Sequence, residues 1–273
     1  MAWLPIFIVC ATAVLETFGA LGGFNDEKII GGTVTHVDDA KFMTQVVVYT
    51  YESEEIVGIS TCGGSLISTT LVLTAGHCAS GKAKETVVLA GTSDFLKRGK
   101  RGSGYEVKDI RVHPKYQAFN LEDGSSYAIY DVAVLKLKSA VPLGAKTGLI
   151  SITKVNAPPK TGTLLTVAGW GIYKNNSDSS SKKLRRGVYT TLSRDICAQK
   201  LGSAFTAQEI CTSSTPNSAF CLGDSGGPAY VGKIQYGIVS WGNCGIKNSP
   251  SVLTNLANPE INSFVQNMLK TKL

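Results

Sequence analysis

The chain has 273 residues, 43% of them hydrophobic and 17% charged, with 29 glycines and a formal net charge of +7. That length can bury a sizeable core in one or two domains, and the composition favours a compact, turn-rich globule over a disordered or coiled-coil chain. No internal repeat or heptad run is visible.

The first element is MAWLPIFIVCATAVLETFGALGG, apolar from Ala2 to Leu15 apart from Pro5 and Thr12 and followed by small residues. It is too short to span a bilayer comfortably and reads as a secretory signal over residues 1–20, with its end between 19 and 22. No later apolar stretch is long enough to cross a membrane, so no membrane contact is expected once the signal is gone. QVVVYTY, SLISTTLVLTA, TVVLAG, YEVKDIRVH, DVAVLKL, TLLTVAGWG and KIQYGIVSWG then follow in order. Each has strand length, is rich in Val, Ile, Leu, Thr and Tyr, and is bounded by turn residues, which predicts an all-β barrel or sandwich. The Pro- and Lys-containing stretch 153–161 is the expected link between two halves. Only the last segment changes period: after Asn258 and Pro259, Ile261, Phe264, Val265, Met268 and Leu269 recur at helical spacing, which predicts a closing helix.

Seven cysteines become six if Cys10 leaves with the signal: Cys62, Cys78, Cys197, Cys211, Cys221 and Cys244. Six cysteines in an exported chain suggest three bridges, and the sequence by itself leaves about fifteen connectivities open. A zinc site is the rival reading, but no CxxC pair is present and only His77 lies near a cysteine, so no metal is expected.

CLGDSGGPAY, residues 221–230, would by itself be an ordinary tight turn. Its serine becomes a candidate nucleophile only if a base can take its proton, usually an imidazole oriented by a carboxylate. The chain has three histidines. His36 and His113 fall among turn residues, whereas His77 follows an apolar strand, and Asp131 heads DVAVLKL. His77, Asp131 and Ser225 thus form a candidate set.

IIGGT (29–33), LTAGHC (73–78), DVAVLKL (131–137), VAGWG (167–171), GDSGGP (223–228) and IVSWG (238–242) together resemble the trypsin and chymotrypsin family of serine proteases. The resemblance implies two six-stranded antiparallel β-barrels with the active site between them, plus a C-terminal helix. It implies an enzyme, a serine endopeptidase in which Ser225 attacks the scissile carbonyl, His77 relays the proton and Asp131 orients the imidazole. The N–H groups of Gly223 and Ser225 would form the oxyanion hole, and Ser240 resembles the serine that helps hold the aspartate. The family pattern pairs Cys62 with Cys78, Cys197 with Cys211, and Cys221 with Cys244. It also implies an activation propeptide, 21–28, cut between Lys28 and Ile29 so that the new amino group pairs with Asp224 inside a protease domain over 29–273. Implied partners are protein or peptide substrates, protein inhibitors and a trypsin-like activator, and a monomer is expected.

Some positions depart from the family pattern. Gly76 stands where the family more often has Ala, a change expected to cost little. TSDFLKRGKRGSGY, after Gly91, is too basic for a calcium loop. In trypsin-like members a carboxylate lies six residues before the nucleophile; here that position is Ala219, followed by Phe220. With Ser240, Trp241, Gly242, Ser251 and Leu253 these would line an apolar, shallow pocket suited to Leu, Met, Ala or an aromatic side chain before the cut, because an unpartnered buried cation is costly. Without residues 1–28 the chain carries 26 basic against 17 acidic residues, or +9. This basic surface reads as a solvated face, and since no aromatics interleave its basic runs, no nucleic-acid partner is expected. The segment 174–187, with a sequon at Asn175, reads as a flexible polar loop. A catalytically silent homologue acting as a binding protein is the alternative function.

Overall fold

The structure is a computed structural model and describes residues 32–52, 55–79, 81–96, 103–121, 125–172, 180–213, 220–242 and 249–271. The signal, the propeptide with Lys28 and Ile29, Asn175, Ala219 and Cys244 lie outside the described residues.

Among the described residues, sixteen strands and two α-helices follow one another. They are β1 (Thr33–Val34), β2 (Met43–Glu52), β3 (Glu55–Ser68), β4 (Leu71–Thr74), β5 (Thr86–Ala90), β6 (Ser103–Val112), β7 (Gln117–Asn120), β8 (Ser126–Ile129), β9 (Ala133–Leu137), β10 (Ser151–Ile152), β11 (Leu164–Gly169) and β12 (Arg185–Thr190). After them come α1 (Arg194–Leu201), β13 (Glu209–Thr212), β14 (Pro228–Val231), β15 (Ile234–Gly242), β16 (Ser251–Asn255) and α2 (Pro259–Lys270).

The first unit is a closed barrel in the order β2-β3-β4-β9-β6-β5, all antiparallel. Inward positions such as Val46, Leu66, Val72, Val88 and Leu135 fill it and are inaccessible, the burial expected of β-branched and Leu side chains on one face of a pleat. SLISTTLVLTA, read as one strand, is two: β3 ends at Ser68, whose Oγ accepts from the Thr70 N–H at 3.3 Å, and β4 starts at Leu71.

The second unit is an eight-stranded sheet along β1-β12-β11-β14-β15-β16-β13, with β10 beside β15. Six of these strands curl so that their ends meet. The Thr191–Thr212 bridge joins the end of β12 to β13, helped by Leu192 N–H donating to Cys211 C=O (3.0 Å) and Ser213 N–H to Thr190 C=O (2.8 Å). β1 and β10 are additions to the expected six, and β10 pairs parallel to β15. Because β10 already belongs to this sheet, the chain crosses between the units within 138–150, and 153–161 comes after the crossing.

Between the units lies a third core, with Phe42, Leu73, Trp170, Tyr230 and Ile238 packed against Ile261 and Val265 of α2. α2 starts at an Asn258 cap whose Oδ1 accepts from Glu260 and Ile261, has Pro259 in its first turn, and carries Lys270 in its last, as capping and dipole rules dictate. Fully burying Ile261 and Val265 stabilises the docking by roughly 1.5–3 kcal/mol each. Polar contacts also cross the seam: Ser65 Oγ donates to Gln235 Oε1 (2.7 Å), and Gly63 N–H donates to Ser225 C=O (2.7 Å). No described helix is long and apolar enough to cross a membrane.

Candidate active site

His77 and Asp131 come from the first barrel. β4 delivers His77 into a short 3-10 turn, and Cys78 is bonded to Cys62 of β3, which ties that turn to the barrel wall. Asp131 stands just before β9. Its Oδ2 lies 2.8 Å from His77 Nδ1, and its Oδ1 accepts from the His77 N–H at 2.9 Å. Ser240 Oγ, from β15, donates to Oδ2 at 2.5 Å, and Thr254 Oγ1 donates to the Asp131 C=O at 2.8 Å. Burial would lower the His77 pKa, but the hydrogen bond and charge of Asp131 override it and hold the imidazole above 6.5. Burial would likewise raise Asp131, yet His77 and Ser240 outweigh it and keep the carboxyl below 3.8. The pair is an imidazole held in one tautomer by an ionised carboxylate.

Ser225 comes from the second unit, on the turn between Cys221 and β14. The turn is closed by Asp224 N–H to Cys221 C=O (2.9 Å) and Gly227 N–H to Asp224 C=O (2.9 Å). Gly223 takes φ +92°, a conformation that suits glycine and would strain any other residue there. Among the described residues neither the Gly223 nor the Ser225 N–H is donated to a protein acceptor. The Asp224 side chain is wholly buried. Its Oδ1 accepts from Gly171 N–H (2.9 Å) and its Oδ2 from Cys221 N–H (3.1 Å), while burial pushes its pKa to about 6.

A cleft of about 420 Å³ opens where the units meet, and His77, Asp131 and Ser225 all line it. Of the expected pocket residues, Phe220, Ser240, Trp241 and Gly242 also line it. Ser251 and Leu253 do not: Ser251 is buried opposite Gly242, and Leu253 packs in the second unit's core beside Phe220 and Val239. Two apart in β16, they share one face of the sheet, so both miss the cleft together.

The β7–β8 hairpin was missed in the sequence. It supplies Ala118, Ser126, Tyr127 and Ala128 to the cleft wall, with Tyr127 stacked on Phe119 (4.7 Å) and tilted against Trp241 (5.8 Å). Leu222 also lines the cleft and is 71% exposed. Gly76 is constrained by packing: a Cβ there would lie 2.8 Å from the Tyr116 ring and 3.1 Å from Asp131 Oδ1. An alanine at 76 would therefore have to displace Tyr116, so the glycine accommodates the close approach of that ring.

Cys197 and Cys211 are bonded, joining α1 to β13, and Cys221 is also disulfide-bonded. Ligand atoms of Cys62, His77 and Cys78 lie within 4.8 Å of one another, but the two sulfurs are bonded to each other and offer no thiolate to a metal. These bridges fit an oxidising, extracellular setting.

Known proteins are similar to this chain in sequence and in fold. The profile of the family described as Trypsin matches residues 29–264. Hypodermin-B of Hypoderma lineatum is 32% identical over 261 residues, covering 92% of this chain and 94% of that protein. Trypsin beta of Drosophila erecta is 29% identical over 246 residues, covering 89% and 88% respectively. The structure of neuropsin, a serine protease expressed in the limbic system of mouse brain, superposes with a TM-score of 0.71 at 24% identity, covering 88% of this chain and 99% of that one. The motif order, the two-unit fold and these matches agree: the chain belongs to the trypsin family of serine proteases.

Proposed function

We propose that this chain is a catalytically active, secreted serine endopeptidase, made as a precursor and matured by a cut between Lys28 and Ile29. The observation that carries the reading is the His77–Asp131–Ser240 hydrogen-bond array beside Ser225 in one cleft. In this reading Ser225 Oγ attacks the scissile carbonyl and its proton passes to His77. The tetrahedral oxyanion is held by the Gly223 and Ser225 N–H groups, and the amine leaves with the proton from His77. Water then repeats the sequence on the acyl-enzyme.

The precursor's Asp224 has two amide partners and no described cation, and a new ammonium at Ile29 would supply one. A buried carboxylate gains most from such a charge, and the pairing would order the turn that carries Gly223. A trypsin-like protease would make the cut. For substrate, Phe220 in the cleft and Ala219 in the position of a cation-binding carboxylate favour an apolar side chain before the scissile bond, medium aliphatic first, at a gain of about 25 cal/mol per Å² buried. Protein protease inhibitors would bind the same cleft. The alternative, a silent homologue that only binds, would need a lost catalytic group.

The deciding experiment is labelling of the Ile29-initiated form with a sulfonyl fluoride, read by mass spectrometry. An adduct on Ser225 is the expected result, and its absence in folded protein overturns the reading. Peptides differing only before the cut decide specificity: relatives bearing the name trypsin make Lys and Arg the sharpest controls, and highest kcat/KM on either one overturns the apolar assignment.

A further inference from the structure

The backbone that carries Asp131 is strained at its first residue. Tyr130 holds φ +50°, in the left-handed region, which crowds the Cβ of a non-glycine residue against its backbone. An aromatic side chain cannot bond its own backbone there as Asn or Asp does, so the surroundings must hold it. Its ring is buried and stacks on His113 at 4.8 Å with planes 11° apart, and His113 meets Phe264 of α2 edge-on at 5.0 Å. The His113 N–H donates to Val132 C=O (3.0 Å) and Val132 N–H to Tyr130 C=O (2.8 Å), so the same loop grips the backbone around Asp131.

A second grip runs through hydrogens that can be assigned by counting. Tyr130 Oη donates its one proton to Glu260 Oε1 (3.0 Å), so toward Gln208 Nε2 (2.9 Å) it accepts. Gln208 therefore turns Oε1 toward Thr206, whose Oγ1 touches both that oxygen and Glu209 Oε2, the latter at 2.5 Å. One hydroxyl proton cannot serve two acceptors. If it goes to Gln208, the contact with Glu209 needs a proton on the carboxyl. Glu209 is buried, and burial, against hydrogen bonds from Thr206, holds it above the ordinary carboxyl range. The charges facing it are Arg194, which donates to Thr206 C=O at 3.2 Å, and Asp131.

We propose that Tyr130 is a positioning residue for Asp131, held by its ring stack and by a one-way hydrogen-bond chain from protonated Glu209 through Thr206, Gln208 and Tyr130 to Glu260. The assignment rests on reading Asp131 as the partner of His77. The chain lies outside the cleft-lining set and reaches the carboxylate only through the backbone of the residue before it.

The test follows the His77 proton resonance and titration in the folded protein, which need no turnover, together with kcat and KM of the matured form. Tyr130→Ala is expected to lower kcat about tenfold with KM within about twofold, and to move the His77 titration to lower pH, because small displacements of a catalytic group are costly. Tyr130→Asn tolerates the left-handed backbone but lacks the ring, and should behave alike. Tyr130→Phe keeps the stack and loses the chain, for about a threefold loss in kcat. Glu209→Ala should match Tyr130→Phe, and Glu209→Gln, a neutral donor of the same shape, should recover most of that loss. Wild-type His77 titration and kcat in folded Tyr130→Asn overturn the positioning role. Glu209→Gln as impaired as Glu209→Ala overturns the proton assignment. Should Tyr130→Ala fail to fold, the Asn and Phe variants decide. If the wild type cleaves no peptide, the endopeptidase reading fails, and the titration of the variants still decides this one.

Discussion

Asp131 and Asp224 are both almost inaccessible, at 1% and 0% exposure, one in each of the two units. Burial pushes both carboxyls up. At Asp131 the imidazole of His77, its backbone N–H and the Ser240 hydroxyl outweigh that push, and the acid ends below 3.8. At Asp224 the amides of Cys221 and Gly171 recover only part of it, and the acid ends at about 6. Two amide dipoles do not replace an ionisable partner and a hydroxyl, so the two buried acids end on opposite sides of the ordinary aspartate value.

The largest effect expected from this contrast is at Asp131. Asp131→Asn keeps the shape but presents an amide to Nδ1 and favours the wrong tautomer. Loss of kcat of about 10⁴ is expected, the size known for this family's triad. Asp224→Asn in the matured enzyme should act indirectly, by loosening the turn of Gly223 and Ser225. A loss of about 10²–10³ in kcat is expected, the value of an oxyanion donor. Single-turnover kinetics on one ester substrate measures both; an Asp224→Asn loss equal to that of Asp131→Asn would erase the distinction.

The next effect separates the precursor from the matured chain. An unfolded aspartate ionises near 3.8, while buried Asp224 keeps its proton to about 6. Between those values the folded precursor binds a proton that the unfolded chain has released, so its stability falls as pH rises and levels off above 6, by about 3 kcal/mol in all. With an ammonium beside it, the matured form should lack this fall. Urea midpoints between pH 3.5 and 7 for Lys28→Gln precursor and for protein beginning at Ile29 make the comparison. Parallel curves would show that the new amino terminus does not reach Asp224.

Several parts of this arrangement were legible because each is encoded in few residues. LTAGHC, DVAVLKL and GDSGGP each place one chemical group at the end of a strand or in a tight turn, and β2, β5, β9, β11 and β15 are runs of apolar and β-branched residues with clear ends. Elsewhere burial and hydrophobicity disagree. In β12, Arg185 is buried against Ser181 while Val188 is 55% exposed, so the described end of 174–187 reads as polar loop and folds as strand. α1 buries only Cys197 and has no apolar stripe; its signal is the Ser193 cap, whose Oγ accepts from Ile196 N–H at 3.3 Å. β7 and β8 are four residues each and mix polar with aromatic side chains, several of which line the cleft, so they lack the apolar run that marks a core strand. The strain at Tyr130 is a property of φ, for which an isolated tyrosine gives no sign.

The smallest effect concerns how Asp131 shares its donors. Ser240 Oγ and His77 Nδ1 meet the same oxygen, Oδ2, at 2.5 and 2.8 Å. Ser240→Ala removes the hydroxyl and leaves the imidazole, so two consequences of opposite sign arise. The carboxylate loses a charge-assisted bond and some orientation, which should lower plateau kcat/KM by about three- to tenfold, since hydrogen bonds to charged groups are worth about 1.5–3 kcal/mol and water can replace part of this one. The same loss makes the carboxylate more basic, so its pull on the His77 proton grows and the imidazole should titrate higher than it does with Ser240 present. His77 must be neutral to act as base, and the acid limb of kcat/KM should therefore move to higher pH while its plateau falls. A pH series on one peptide substrate reads both changes. A lower plateau with an unmoved limb would mean that Ser240 only packs beside Asp131, and a limb moved to lower pH would mean that the carboxylate has swung away from His77.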